Sequence, residues 1–150
     1  VTTTVSFQDL PALAGTDLGY SAYREITQEQ VNLFADATDD HQWIHVDPER
    51  AKGGPFGAPI AHGYLSLALM IPLSEELLQV DGVTTKVNYG LDKVRFPSPV
   101  KVGARVRMGS TIKDVTEIAG GYQIVLENVV EVEGTTKPAV AATTLYRFYE

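Results

Sequence analysis

The chain has 150 residues, a formal net charge of -7, and 44% hydrophobic against 21% charged residues. A chain of this length forms one domain, 1–150, that buries roughly 70% of the surface its unfolded state exposes, and the composition excludes a disordered polymer. The acidic balance argues against a nucleic-acid partner, and the absence of cysteine excludes disulfides and cysteine-built zinc sites.

Residues 1–17 carry no strong periodicity, and Pro11 and Gly15 predict an irregular arm. The opening Val-Thr-Thr-Thr-Val lacks a basic region followed by an apolar stretch, so no leader is expected and a cytoplasmic location is. Tyr20 to Ile26 is aromatic and β-branched enough for a short strand. Thr27 then starts a helix: Gln30 three residues on completes a capping box, and Ile26 and Val31 form a hydrophobic staple. Val31, Phe34, Ala35 and Thr38 recur at helical spacing, so one face packs inward.

Asp39 to Ala51, Asp-Asp-His-Gln-Trp-Ile-His-Val-Asp-Pro-Glu-Arg-Ala, comes next as a connecting loop. Asp47 caps a short helix that begins at Pro48 and ends at Gly53-Gly54-Pro55. Ala61 to Gln79 reads as one helix, apolar nearly all round as far as Leu73 and therefore buried, with a kink at Pro72. Its apolar run, Ala58 to Leu73, is interrupted by His62, Gly63, Ser66 and Pro72 and is shorter than the ~20 residues of a membrane span, so no membrane partner is expected.

Beyond the helix the period changes to two. Val87, Tyr89 and Leu91 alternate with polar residues, as do the even-numbered residues Val102 to Ile112 and the set Tyr122, Ile124, Leu126, Val130 and Val132. Ala139 to Tyr149 is the last strand, and Gly120-Gly121 and Gly134-Thr135-Thr136 supply turns. The reading is an α+β domain in which a long antiparallel sheet wraps a buried central helix. Lys86 to Lys113 is a +6 strip, the remainder of the chain being -13. Two readings of the strip stand: attraction of a phosphorylated small ligand, or the solvent-facing residues of strands.

Asp40 and His45 stand five residues apart, so they converge only if the chain between them bends. A convergent carboxylate and imidazole can share one water and move its protons at neutral pH. Asp40-His41-Gln42-Trp43-Ile44-His45, five further residues and Ala51 resembles the hydratase motif of MaoC-like, (R)-specific enoyl-CoA hydratases. Ala61-His62-Gly63 and Val94-Arg95-Phe96-Pro97-Ser98-Pro99-Val100 resemble the same family, with Asp39, Gln42 and Trp43 replacing its Gly, Asn and Pro. The resemblance implies a hotdog fold, a homodimer, an acyl-CoA thioester as substrate and an (R)-3-hydroxyacyl-CoA product.

Asp40 and His45 are then the expected catalytic pair. The Gly63 backbone N–H is the expected oxyanion donor, since first-turn N–H groups lack helical partners. His62, Lys93, Arg95 and Arg105 are candidate substrate contacts, a structural hydrogen bond being the other reading of His62. His41, His45 and His62 could ligate a metal only if 41–45 were helical, so neither a metal nor a redox cofactor is expected. Trp43, Phe56 and Tyr64 are read as core residues, with lining an acyl pocket as the other reading of one of them, and His41 as exposed. An acyl-CoA thioesterase on the same fold and a non-catalytic acyl-CoA-binding module are the competing functions; no Gly-x-Ser-x-Gly elbow or phosphate-cradling loop is present.

Overall fold

A computed structural model describes residues 1–150. In chain order it contains β1 (Thr3–Ser6), a 3₁₀ segment (Phe7–Leu13), β2 (Asp17–Tyr20), β3 (Arg24–Glu25), α1 (Gln28–Thr38), α2 (Trp43–Val46), α3 (Pro48–Lys52), α4 (Gly63–Ala68), α5 (Met70–Leu77), β4 (Leu78–Asp81), β5 (Thr85–Arg95), β6 (Arg105–Ile118), β7 (Gly121–Val132) and β8 (Val140–Tyr149). The main sheet has the order β2-β6-β7-β8-β5, with β3 also paired to β6. Its long strands are antiparallel. Alternating residues of β6, β7 and β8 face the core, where Met108, Ile112, Ile124, Leu126, Val130 and Val140 meet Met70, Leu73 and Leu77 of α5. Full burial of side chains this size contributes roughly 1.5–3 kcal/mol each.

The expected single helix over 61–79 is broken. Leu69 separates α4 from α5, and α5 ends at Leu77, so Gln79 belongs to β4. Pro72 is the physical reason: it has no N–H for the Ala68 carbonyl, but it is tolerated in the first turn of a new helix, where that donor would be unpaired anyway. The helical stretch is also not buried all round, since Tyr64 and Ile71 are exposed.

Residues 1–17 are ordered rather than irregular. β1 pairs in parallel with β4, and the 3₁₀ segment buries Phe7 and Leu10. Of the strand expected over Tyr20–Ile26, only Tyr20, at the end of β2, and the two residues of β3 are extended in the sheet. Val102 and Ala104 precede β6, which begins only at Arg105. On β5, bulges between Asn88 and Gly90 and between Leu91 and Lys93 break the expected alternation. A bulge adds one residue and so reverses the faces of the residues beyond it. Leu91 therefore lies opposite Thr144 on the inner side, whereas Tyr89 stacks under Arg147, 3.5 Å away.

α1 starts as expected, with the Thr27 hydroxyl accepting from the Gln30 N–H at 3.1 Å. It stops at Asp39, which adopts φ 60° and ψ 22°. This left-handed position closes the helix and turns the chain toward Asp40. Glycine is the residue without a steric penalty there, and a carboxylate at a helix C-terminus also opposes the macrodipole. Asp39→Gly should therefore fold unchanged and gain up to about 1 kcal/mol. Urea unfolding with an unaltered m-value checks this, and a loss of stability would contradict it.

Candidate active site

α1 ends in the Asp39 turn, and the chain then runs through Asp40 into α2 and α3. Thus 43–46, expected as loop, is a short helical turn. Trp43 packs its ring against the edge of Gly54, where an added Cβ would come within 2.9 Å of two ring atoms, and against the Arg50 guanidinium at 4.4 Å. It staples α2 to the far end of α3. The motif's aromatic substitution is thus accommodated by packing outside the reacting groups.

The bend brings Asp40 and His45 together, and His62 with them. Their nearest ligand atoms all lie within 4.8 Å of one another, Asp40 being exposed and both imidazoles buried. His45 is fixed at both ends. Its backbone carbonyl accepts from the Gln28 side-chain amide of α1 at 2.8 Å. Its Nδ1 lies 2.6 Å from the Ile60 carbonyl oxygen. A carbonyl can only accept, so Nδ1 carries the proton, and the neutral ring keeps its lone pair on Nε2. Burial holds the His45 pKa below 6.5 by desolvation; the Ile60 hydrogen bond opposes that shift, His62 adds to it and Asp40 opposes it. The imidazole is therefore neutral and basic at pH 7.

The segment carrying Ile60, His62 and Gly63 is tied down on both sides. Ile60 donates to the Ile44 carbonyl at 2.9 Å, and Ala61 to the Val100 carbonyl at 2.8 Å. Gly63 opens α4, and its N–H has no acceptor among the loop and cap hydrogen bonds. A Cβ there would press on the Phe96 ring at 3.3 Å. Phe96 and Tyr64 flank the glycine edge-to-face, centroids 6.5 Å apart. Tyr64, expected in the core, is 73% exposed, because it lies on the outward side of α4.

In the sequence His62 is legible only as a candidate contact beside the glycine. It is 3% exposed, its Nε2 lies 3.0 Å from the Asp40 carbonyl oxygen, and its ring stacks on His45 at 3.8 Å with 22° between planes. The three side chains are close enough for one metal ion. His41 is elsewhere, exposed and paired with Asp36 at 2.8 Å.

The basic strip divides. Lys86, Arg105, Arg107 and Lys113 pair with Glu75, Glu133, Glu131 and Glu127 at 2.9–3.1 Å. Arg105 forms a cross-strand ion pair with Glu133 at 3.0 Å, both side chains about half exposed. Lys93 and Arg95 make no ion pair and line a groove of about 640 Å³ across the outer sheet face, with Tyr20, Thr111 and Val129. A second cavity of about 170 Å³ runs between α4–α5 and β5, lined by Tyr64, Leu67, Ile71, Leu91, Thr144 and Tyr146.

Residues 9–134 match the family model described as MaoC like domain. The chain is 54% identical over 144 residues to 3-hydroxyacyl-thioester dehydratase Z of Mycobacterium tuberculosis, covering 95% of each. It is 43% identical to nodulation protein N of Rhizobium leguminosarum over 92% of this chain and 88% of the relative. Among solved structures, an R-hydratase from Pseudomonas aeruginosa superposes with a TM-score of 0.74 at 23% identity, over 91% of this chain and 82% of its own. An (R)-hydratase from A. caviae gives 0.73 at 23%, over 89% and 94%. These likenesses establish the hotdog architecture expected from the sequence. With its Asp-to-His bend, its wrapped helix and its matched length, the chain belongs to the MaoC-like dehydratase family.

Proposed function

We propose that this protein is an (R)-specific enoyl-CoA hydratase, adding water reversibly to a trans-2-enoyl-CoA to give an (R)-3-hydroxyacyl-CoA. The observation that carries the reading is the meeting of the Asp40 carboxylate and the His45 ring within 4.8 Å, next to an unpaired Gly63 N–H. The identity to a 3-hydroxyacyl-thioester dehydratase supports the reaction class.

In this reading one water is held between Asp40 and the His45 Nε2. The imidazole takes a proton as the water oxygen bonds to the β-carbon. The alkene electron pair shifts onto the thioester oxygen, where the Gly63 N–H stabilises the growing charge as a hydrogen-bond donor. The imidazolium then returns the proton to the α-carbon on the same face, restoring the thioester and the neutral ring. Asp40 orients the water and offsets the transient positive charge on His45. No metal or redox step enters this scheme.

The acyl chain occupies the apolar cavity beside α4–α5, and Lys93 and Arg95, which line the groove and make no ion pair, meet the CoA phosphates. A second copy covers the exposed apolar edge. β5 is the sheet's terminal long strand, and Tyr64, Ile71 and Leu91 lie exposed along it and the helices. Such an edge invites pairing.

Asp40→Asn and His45→Gln should each lower crotonyl-CoA hydration by at least ~10³-fold with the fold retained by circular dichroism. Absorbance loss at the enoyl-thioester band within a few-fold of wild type would remove the mechanism. A thiol reagent in the same assay should detect no free CoA; its release would favour a thioesterase. The acid limb of kcat/KM should lie below pH 6.5, since His45 must be neutral to act and its pKa is lowered. Light scattering should give twice the 16.3 kDa chain mass, and a monomer at assay concentration would count against the dimer.

A further inference from the structure

His62 is the one buried titratable group in the cluster that the hydration scheme leaves unused. Its ring is enclosed by three elements. Phe34 of α1 packs at 4.8 Å between centroids, His45 of α2 stacks at 3.8 Å, and the Asp40 carbonyl oxygen lies 3.0 Å from Nε2. Because a carbonyl only accepts, Nε2 carries the proton. Nδ1 is then a bare acceptor, buried and with no hydrogen-bond partner. An unpaired buried acceptor is destabilising. A phenyl ring would fill the same space without that penalty, so packing alone is a poor reason for an imidazole here.

We propose that His62 is a positioning residue for hydration, clamping the Asp40 main chain and the face of the His45 ring so that both catalytic groups address one water. The proposal rests on the hydratase reading above. Its geometry is direct. Asp40 is exposed and comes straight after a left-handed turn, and its side chain makes a single weak hydrogen bond, to the Gln42 N–H at 3.4 Å. The Nε2–H donated by His62 is therefore the main restraint on where the Asp40 carboxylate begins. His62 also immediately precedes Gly63, so one residue couples the carboxylate, the imidazole and the oxyanion donor.

The His45 ring offers a readout independent of turnover. The titratable groups that act on it are His62 and Asp40, while α1 contributes only the neutral Gln28 amide, at the His45 carbonyl. His62 opposes a positive charge on His45, and that opposition disappears when the neighbouring ring is removed.

The test compares wild type, His62→Phe and His62→Gln. The phenyl variant keeps a ring against His45 and loses the donor; the glutamine variant keeps a donor for the Asp40 carbonyl and loses the ring. For His62→Phe the expected result is a kcat for crotonyl-CoA lowered about 10- to 100-fold, KM within about twofold of wild type and Tm unchanged or raised. His62→Gln should recover much of that loss in kcat, and its His45 imidazole resonances should titrate at higher pH than in wild type. Wild-type kcat in His62→Phe would overturn the proposal, as would a raised KM with kcat kept, which would make His62 a substrate contact. If wild type itself fails to hydrate crotonyl-CoA, the His45 titration still reads the coupling. A shift in His62→Gln then leaves the clamp standing and removes the reaction, and no shift removes the clamp as well.

Discussion

The hydrogen bond from the His45 Nδ1–H to the Ile60 carbonyl is the interaction on which the site depends. At 2.6 Å it fixes the tautomer, and with it the atom that can act as a base. It also joins two segments fifteen residues apart: the turn after α1 and the approach to α4. The return bond from the Ile60 N–H to the Ile44 carbonyl closes the same seam. Neither segment could be shifted by an ångström without misaligning the groups proposed to react, and errors of that size are costly in catalysis.

The remainder of the fold keeps this seam in register. α1 reaches the His45 carbonyl through Gln28 and is held in turn by Val31 and Ala35 in the core. The approach to α4 is pinned to the stretch before β6 by Ala61 and by the Ile60–Lys101 bridge. α5, anchored by Met70, Leu73 and Leu77, sets where α4 can begin. Beneath them a hydrogen-bonded row, Ser110 to Asn128 at 2.6 Å and Asn128 to Thr144 at 2.9 Å, crosses the inner face of three strands. These buried polar side chains are stable there because they bond to one another.

Charge is handled differently on the two sides of the sheet. On the outer face, cross-strand pairs along β6 and β7 engage three cations of the local strip, Arg105, Arg107 and Lys113. Pairs with partly exposed side chains contribute little stability. Lys93 and Arg95 make no ion pair and form a small positive corner near the end of β5, only one to three residues before Phe96, the ring lying against Gly63.

Local rules determined a good part of this protein. The Thr27 cap and staple start α1, period two marks the β6–β7–β8 core, and the Asp40-to-His45 interval marks the reactive bend, because each depends on near neighbours in the chain. The family resemblance added the fold name. The tertiary structure decided everything that depends on partners far along the chain. The parallel pairing of β1 with β4 leaves no periodic signal in four residues. Two bulges on β5 reassign faces that strict alternation would have put together. Arg105 meets Glu133 only because β6 and β7 pair. His62 joins the cluster because Asp40 offers it a backbone carbonyl, and a main-chain acceptor has no side-chain letter to read.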